Sequence, residues 1–430
     1  MTAIAARPTS VRWRIVVLLM ALCFISHFNR ISMSVAGTER IIGEFGIDPE
    51  IMGRVYSAFL LVYTISMALG GYIIDRYGVR LALMFMAIGS GTFAAITGLV
   101  GLVVVSANAL LPALLIVRGA MGLLTTPLHP ASAQSITNWM PPTERARTNG
   151  LVTGAALLGI ASSYPLFGKM IDWVDWPVAF LIAGTITILL GLVWGSFATD
   201  RPVPEQSPVI NGARADGTAA HRGSWAALLR NSSLLWLTLA YSAVGYFQYL
   251  FFYWMQYYFD SVLSVGKVQS RWSTAIPTLV MAVCMPLGGL VSDQMEQLYG
   301  RTMGRKIVPM GGMLMSAALL GLGLITHKPA AMVFWFALSM GALGTAEGAF
   351  WLTAVELGGK RGGTAASIIN IGGNGVGLLG PLLTPIVSKY LGWKWGISIG
   401  GLVCIAGSLC WWPIRIPNRA ATSATPLEST

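Results

Sequence analysis

An all-α polytopic membrane protein, with twelve transmembrane helices in two six-helix pseudo-repeats, is the fold class this sequence predicts. Three observations predict it. Of 430 residues, 55% are hydrophobic and only 10% charged, with a mean hydropathy of +0.67; a soluble protein carries about 25% charged residues because its surface faces water. Apolar runs of about 20 residues, each enough to cross a ~30 Å hydrocarbon layer as a helix, recur along the chain. The second half then repeats motifs of the first at matching places. The composition by itself argues against a soluble enzyme.

The first span, 13–37, follows a dozen residues and lacks a small-residue cleavage site, so it reads as a retained helix rather than a secretory signal. Spans 51–74 and 81–104 flank a short charged turn. Span 108–138 is interrupted by Pro127 and Pro130, which a membrane helix tolerates where neighbours re-satisfy the freed carbonyls. Spans 147–170 and 177–198 complete an N-terminal half, 1–199. Pro202, Pro204, Pro208, Gly212, Gly217 and scattered arginines then break the pattern, reading as a cytoplasmic linker over 200–231. Spans 233–258, 271–293, 306–326, 331–356, 364–388 and 394–414 fill a C-terminal half, 232–415, before a polar cytoplasmic tail, 416–430. Cys23, Cys284, Cys404 and Cys410 lie inside apolar runs without a C-x-x-C pair. They read as buried thiols, with no disulfide framework, metal site or cofactor implied.

Placing the N-terminus and the even-numbered loops on one side gives that side 18 of the 28 Lys and Arg, the other side 8, and leaves Arg30 and Arg118 inside spans. Cytoplasmic loops carry the Lys/Arg excess, so a multi-pass cell-membrane protein with both termini cytoplasmic is expected. The net charge of +11 is therefore a topology signal. Nucleic-acid binding wants a clustered basic face with aromatic platforms, and the sequence shows none. Leu69-Gly70-Gly71-Tyr72-Ile73-Ile74-Asp75 matches Leu287-Gly288-Gly289-Leu290-Val291-Ser292-Asp293 at the end of each half's second span, and Trp176 is echoed by Trp393. Six helices return the chain to its starting side, so the repeats are parallel, an architecture that suits alternating access with a substrate near the membrane midplane. One twelve-helix body needs no second copy to form a pathway, so a monomer in the lipid bilayer is expected.

Gly71-Tyr72-Ile73-Ile74-Asp75-Arg76-Tyr77-Gly78-Val79-Arg80 resembles the loop motif between the second and third helices of the major facilitator superfamily (G-x-x-x-D-R-x-G-x-R). The resemblance makes Gly71, Asp75, Arg76, Gly78 and Arg80 a conformational motif. The second copy keeps Gly289 and Asp293, while an insertion before Arg301, Arg305 and Lys306 degrades it. A narrower resemblance, to the anion:cation symporter family, lies in Phe28-Asn29-Arg30-Ile31-Ser32-Met33-Ser34-Val35-Ala36 and in the stretch from Arg118 through Gly122, Pro127 and Pro130 to Ala131. That family takes up organic anions, mostly with protons. Its coupling acids sit where this chain has Asn29 and Thr125, neither of which carries a proton.

Arg30 and Arg118 are the most informative residues. Each cation near a helix centre costs about 2.5–3.5 kcal/mol on insertion scales. At ~1.5 Å per residue, Arg30 lies about 26 Å from the cytoplasmic start of its helix and Arg118 about 15 Å inward from the opposite face, so the two approach a common depth. A guanidinium binds carboxylates through a rigid fork and stays charged. Both are expected to bind an anionic substrate, the alternative being snorkelling or a structural ion pair, and Asn29 is grouped with them. Glu347 alone among seventeen acids falls clearly inside a span. Burial and neighbouring arginines pull a carboxyl's proton affinity in opposite directions, which makes Glu347 the candidate coupling residue; the alternative is a fixed salt bridge to Arg30 or Arg118. Glu356, near Lys360 and Arg361 in sequence, reads as an interfacial ion-pair partner. His27 and His129 also lie in spans, where imidazole titrates near neutral pH or serves as a structural hydrogen-bonding residue; His129 is kept as a second proton-coupling candidate.

Tyr63, seven residues before Gly70, matches a substrate-facing tyrosine of the symporter family. In the seventh span Tyr246, Gln248, Tyr249 and Tyr253 cannot all face lipid comfortably, so some line a cavity or gate unless they form an interfacial belt; Gln248 and Tyr249 are the candidates. Trp351, one turn beyond Glu347, joins them. Asn370 and Asn374, one turn apart on a glycine-rich face, match the symporter family's N-x-x-G-N and are set to hydrogen-bond substrate, while close helix packing explains the glycines. The resulting expectation is a secondary transporter of a small organic anion, a carboxylate or sugar acid, with a proton as co-substrate. The rivals are uncoupled uniport or exchange, drug efflux and a transporter-like sensor. No catalytic residue is assigned, since no paired-carboxylate site, H-E-x-x-H or nucleophile–His–acid pattern occurs.

Overall fold

The computed structural model describes residues 10–200 and 228–416; most of the 200–231 linker and nearly all of the 416–430 tail lie outside the described residues. Among the described residues the secondary structure is helix, with no strand. The chain divides into two compact units, Met1–Gly223 and Ser224–Thr430. Among the described residues eight stretches are long and apolar enough to cross a membrane, and two of them, Thr143–Phe197 with 55 residues and Lys267–Ile325 with 59, are long enough to cross twice.

In the first unit α1 is Ser10–Ala36, continued by the π-turn Gly37–Ile41 and by Ile42–Phe45. Helix α2 starts at Pro49–Ile65 and runs to 77, and α3 is 79–103, the two meeting at Gly78 inside Met67–Val103. Helix α4 is Ala107–Thr125 plus Leu128–Trp139, interrupted at Pro127. Helix α5 is Pro142–Ser162 with the π-turn Ser163–Phe167, extending to 174, and α6 is 176–197. In the second unit α7 is Ser232–Tyr257 with the π-turn Tyr258–Val262. Helices α8, 267–299, and α9, 301–325, meet at Gly300. Helix α10 is Pro329–Gly358, α11 is Gly362–Gly377 plus Leu379–Leu391, and α12 is Trp393–Leu409.

The chain reverses between helices with almost no loop, because single residues adopt a backbone conformation that helices exclude. Gly78 (φ 80, ψ 168) and Gly300 (φ 75, ψ 162) take the same turn in the two units, in a region of φ/ψ space that is essentially reserved for glycine. The degraded second motif is thus preserved where it matters. Asp293 is seven residues before Gly300, whereas Asp75 is three before Gly78, and the four extra residues are absorbed as more of α8. The same correspondence relates Asp175 (φ 61, ψ 165), between α5 and α6, to Gly392 (φ 88, ψ 158), between α11 and α12. Asp175 is the non-glycine of the four. Its carboxylate accepts from the Trp176 amide at 2.8 Å and from Arg40 Nε at 3.2 Å, contacts that offset a strain of order 1–3 kcal/mol.

Small residues bring the helices together, as expected where lipid supplies no hydrophobic drive between them. A Cβ on Gly159 of α5 would lie 2.2 Å from the Phe24 carbonyl of α1, and one on Gly245 of α7 would lie 2.1 Å from the Gly373 carbonyl of α11. Gly70 and Gly288, partners in the sequence repeat, meet the backbone of Thr126 in α4 and Thr345 in α10. Glu356 forms ion pairs with Arg301, at 2.8 Å, and with Arg305; Arg305 also reaches Glu296 at 2.5 Å. These pairs follow from the Gly300 turn, which places the start of α9 beside the end of α10.

Candidate functional site

Within the first unit a small pocket is lined by Ser26, His27 and Arg30 of α1, Tyr63 of α2, and Thr125, Leu128 and His129 of α4. Arg30 and His27 are one helical turn apart and share a face, and the break at Pro127 tips Leu128 and His129 into the same space. The Arg30 guanidinium is buried, 5.1 Å from the Phe59 ring centroid and 6.0 Å from that of Tyr63, distances at which a cation is attracted to an aromatic face. The lining contains no carboxylate. The His27 and His129 rings meet edge-on with centroids 5.2 Å apart, and His27 Nδ1 lies 2.9 Å from the Cys23 carbonyl.

Arg118 is in a different position. It is fully buried, does not line this pocket, and donates to the Arg30 carbonyl at 2.8 Å and the Asn29 carbonyl at 3.4 Å, with its guanidinium 5.3 Å from the Phe59 ring. It fastens α4 to the backbone of α1 behind Arg30. Asn29 also faces away from the pocket: its amide donates to Thr187 Oγ1 of α6 at 2.7 Å. Residues 29 and 30 point about 100° apart around a helix, so neighbours in sequence serve different faces.

In the second unit four polar side chains converge. Glu347 is buried and accepts from Tyr241 Oη at 2.5 Å, from Trp351 Nε1 at 3.2 Å and, on its other oxygen, from Gln248 Nε2 at 3.3 Å. These partners are neutral donors from α7 and α10, where the sequence left open a salt bridge to an arginine. Beside them Tyr249 Oη donates to Asn374 Oδ1 at 2.6 Å, and Asn374 Nδ2 donates to the Asn370 carbonyl and to its side-chain oxygen, both at 2.9 Å. Tyr246 and Tyr253 are buried in the unit's interior, whereas Gln248 and Tyr249 are half-buried. A Cβ on Gly373 would meet the Tyr241 ring at 2.7 Å, and one on Gly377 the Tyr249 ring at 2.5 Å. The glycine face of α11 therefore seats both tyrosines.

Tyr241 is the residue that sequence reasoning passed over. Its signal was present: it precedes Gln248 by seven positions, two turns of one helical face. The motif residues occupy the end of α2 and the start of α3. Gly71 and Asp75 lie near the end of α2, Arg76 donates to Tyr72 Oη at 2.7 Å, and Arg80 Nε donates to the Gly195 carbonyl at 2.8 Å while its backbone amide donates to the Asp200 carboxylate. Asp200 thus caps the turn at Gly78, where an added Cβ would meet its carboxylate at 2.8 Å.

The family model described as Major Facilitator Superfamily matches residues 19–377 and 269–429. The chain is 24% identical over 425 residues to the probable galactarate/D-glucarate transporter GudP of Bacillus subtilis, covering 94% of this chain and 90% of that one. It is 25% identical to the hexuronate transporter of the same organism, with 90% and 89% covered, and 26% identical to the D-galactonate transporter of Escherichia coli, with 92% of each covered. Among solved structures, a bacterial homologue of the human lysosomal transporter Spinster, inward-facing and unoccupied, superposes with a TM-score of 0.79 at 16% identity over 94% of this chain and 96% of that one. A D-xylose–proton symporter gives 0.74 at 16% identity, with 95% and 98% covered. The chain belongs to the Major Facilitator Superfamily, has its twelve-helix fold, and is a multi-pass membrane transporter rather than an enzyme.

Proposed function

With membership of this superfamily as the premise, we propose that the protein is a secondary transporter of a small organic anion, a carboxylate or sugar acid, working by alternating access. One observation carries the reading: Arg30, a permanent cation in the membrane interior, lines a pocket with Tyr63 and two imidazoles and with no carboxylate. A guanidinium there matches a carboxylate fork, with the Tyr63 hydroxyl as a further donor. The similarity to transporters of galactarate and D-glucarate, hexuronate and D-galactonate supports the same substrate class.

Proton coupling is the finer part of the proposal. Glu347, held by three neutral donors, is the acid we assign to it, and His129 stands in the pocket as a second group able to carry a proton. Both termini are cytoplasmic in this reading, the halves 1–199 and 232–415 being joined by the 200–231 linker, and the transporter works as a monomer. The uncoupled reading, uniport or exchange, has its own observation: Asn29, bonded to Thr187, and Thr125, bonded to the Met121 carbonyl at 2.7 Å, carry no proton. Uptake of sugar acids, hydroxy acids and aromatic carboxylates into proteoliposomes, with and without an inward proton gradient, tests all of this. Gradient-driven accumulation of one anion supports symport, gradient-independent uptake supports exchange, and no uptake of any carboxylate overturns the anion assignment.

A further inference from the structure

We infer that the second unit binds an anionic phospholipid where α12 ends between the starts of α7 and α9, with Lys306, Arg415 and Arg230 holding the phosphate and Trp412 and Trp236 meeting the chains. The inference needs the protein to sit in a bilayer and does not depend on which solute it carries.

The end of α12 is fastened to both neighbours. Ser408 Oγ donates to the Met310 carbonyl of α9 at 3.2 Å, and a Cβ on Gly407 would meet Ala243 of α7 at 2.5 Å and Met313 of α9 at 2.6 Å. The chain then turns over 410–413 and crosses the start of α7, where the Arg415 amide donates to Ser233 Oγ at 3.0 Å. Lys306 Nζ donates to the Trp412 carbonyl at 2.9 Å, which uses one of the three hydrogens of the ammonium group. The Arg415 bond is made by its backbone, and its side chain is exposed. Arg415 follows Trp412 by three residues and Arg230 precedes Ser233 by three, each step spanning at most about 11 Å. The three cations are therefore gathered around one exposed indole.

Residues 228–237, 303–310 and 405–416, which form this junction, contain Arg230, Arg305, Lys306 and Arg415 and no acid. Arg305 is taken up by Glu296 and Glu356. Among the described residues no carboxylate pairs with the other three, the exposed Asp293 of α8 included. The first unit shows the same junction with its own anion. There Arg80, at the start of α3, donates to the Gly195 carbonyl near the end of α6, and Asp200, three residues past Phe197, places its carboxylate on the Arg80 amide. Past the end of α12 the charged residue is Arg415 instead, so the second junction takes its anion from outside. Trp412 is 72% exposed, with Leu409 and Trp236 also exposed. Indoles settle at headgroup level, and basic pockets between membrane helices on the cytoplasmic side take anionic head groups. A phospholipid uses the cations and the apolar surface together, whereas an inorganic anion uses only the cations. In the proposed topology these three helix ends are cytoplasmic, which makes the ligand a lipid of the inner leaflet.

The test is native mass spectrometry of the full chain in detergent micelles, titrated with phosphatidylglycerol or with phosphatidylcholine of the same acyl chains. Each cation near the membrane surface contributes about fivefold, so phosphatidylglycerol is expected to bind at least about 25-fold more tightly. Lys306→Gln combined with Arg415→Gln is expected to lower that ratio about 25-fold, while Arg147→Gln, which removes an exposed cation of the first unit, changes it less than about twofold. A ratio below about threefold in the unsubstituted protein overturns the inference without any variant having to fold. So does a ratio that the double substitution leaves within about twofold, which puts the lipid elsewhere on the molecule. Inorganic phosphate in large excess is expected to leave the lipid bound; displacement by it identifies an ion site and overturns the lipid assignment.

Discussion

The two halves of the molecule share a backbone plan and divide the chemistry. In the first, the charges deep in the spans are cations, Arg30 and Arg118, both about 5 Å from the Phe59 ring, with two imidazoles beside one of them, while the buried Glu39 lies in the π-turn that follows α1. In the second, the acid deep in a span is Glu347, bonded to a tyrosine, a tryptophan and a glutamine, while the buried Arg271 and Arg305 lie near the starts of α8 and α9. Gly70 and Gly288 mark equivalent places against α4 and α10, and two residues beyond each contacted threonine stand Leu128, in the pocket, and Glu347. In the proposed reading, a duplicated scaffold holds the anion site in one copy and the proton-coupling acid in the other.

That comparison is sharpest at Arg30. Arg30→Ala is expected to lower anion uptake by about 30- to 150-fold, the loss of a charge-assisted contact of about 2–3 kcal/mol, with the protein still extractable and monodisperse; uptake within threefold of the unsubstituted protein breaks the assignment. Glu347→Gln is expected to abolish accumulation driven by a proton gradient while counterflow exchange of labelled anion continues, and accumulation that persists moves coupling out of the second half. Arg118→Ala separates the two arginines. By removing hydrogen bonds to the α1 backbone and leaving a cavity, it is expected to cost about 2–4 kcal/mol of stability, read as a lower melting temperature, with a smaller effect on anion affinity than Arg30→Ala.

The remaining tests address the backbone plan. Gly159→Ala and Gly245→Ala each force a Cβ to about 2 Å from a facing carbonyl and are expected to destabilise by a similar 1–3 kcal/mol; a large difference between them breaks the equivalence of the α1–α5 and α7–α11 contacts. The smallest effect is expected at Asp175→Gly, within about 0.5 kcal/mol, because relief of the backbone strain is set against loss of the bonds to Trp176 and Arg40.

Most of the fold was legible in the sequence, since an apolar run of membrane length and an internal repeat are local, periodic signals. The site was legible in part. Arg30, Glu347, Gln248 and Tyr249 stand out because a charged or polar group in an apolar run has few innocuous explanations. What the sequence hid was rotation about helix axes. Asn29 and Arg30 are adjacent, yet one meets α6 and the other the pocket. Arg118 sits at a plausible depth but turns to a backbone carbonyl. Tyr241 lies before the aromatic run that drew notice, and only the packing of α11 glycines against its ring brings it to Glu347.

The four additional residues between Asp293 and Gly300 matter for angular phase. At 3.6 residues per turn, four residues advance a helix by about 400°, which leaves every side chain within about 40° of its former heading while adding about 6 Å of length. A length change of one turn therefore keeps the inward face of α8 inward, and it moves the Gly300 turn along the helix axis without re-aiming the residues on either side. An insertion of two would have swung Asp293 and its neighbours by about 200° relative to α9. Indels at this junction are expected to be tolerated in whole turns and to fail in halves.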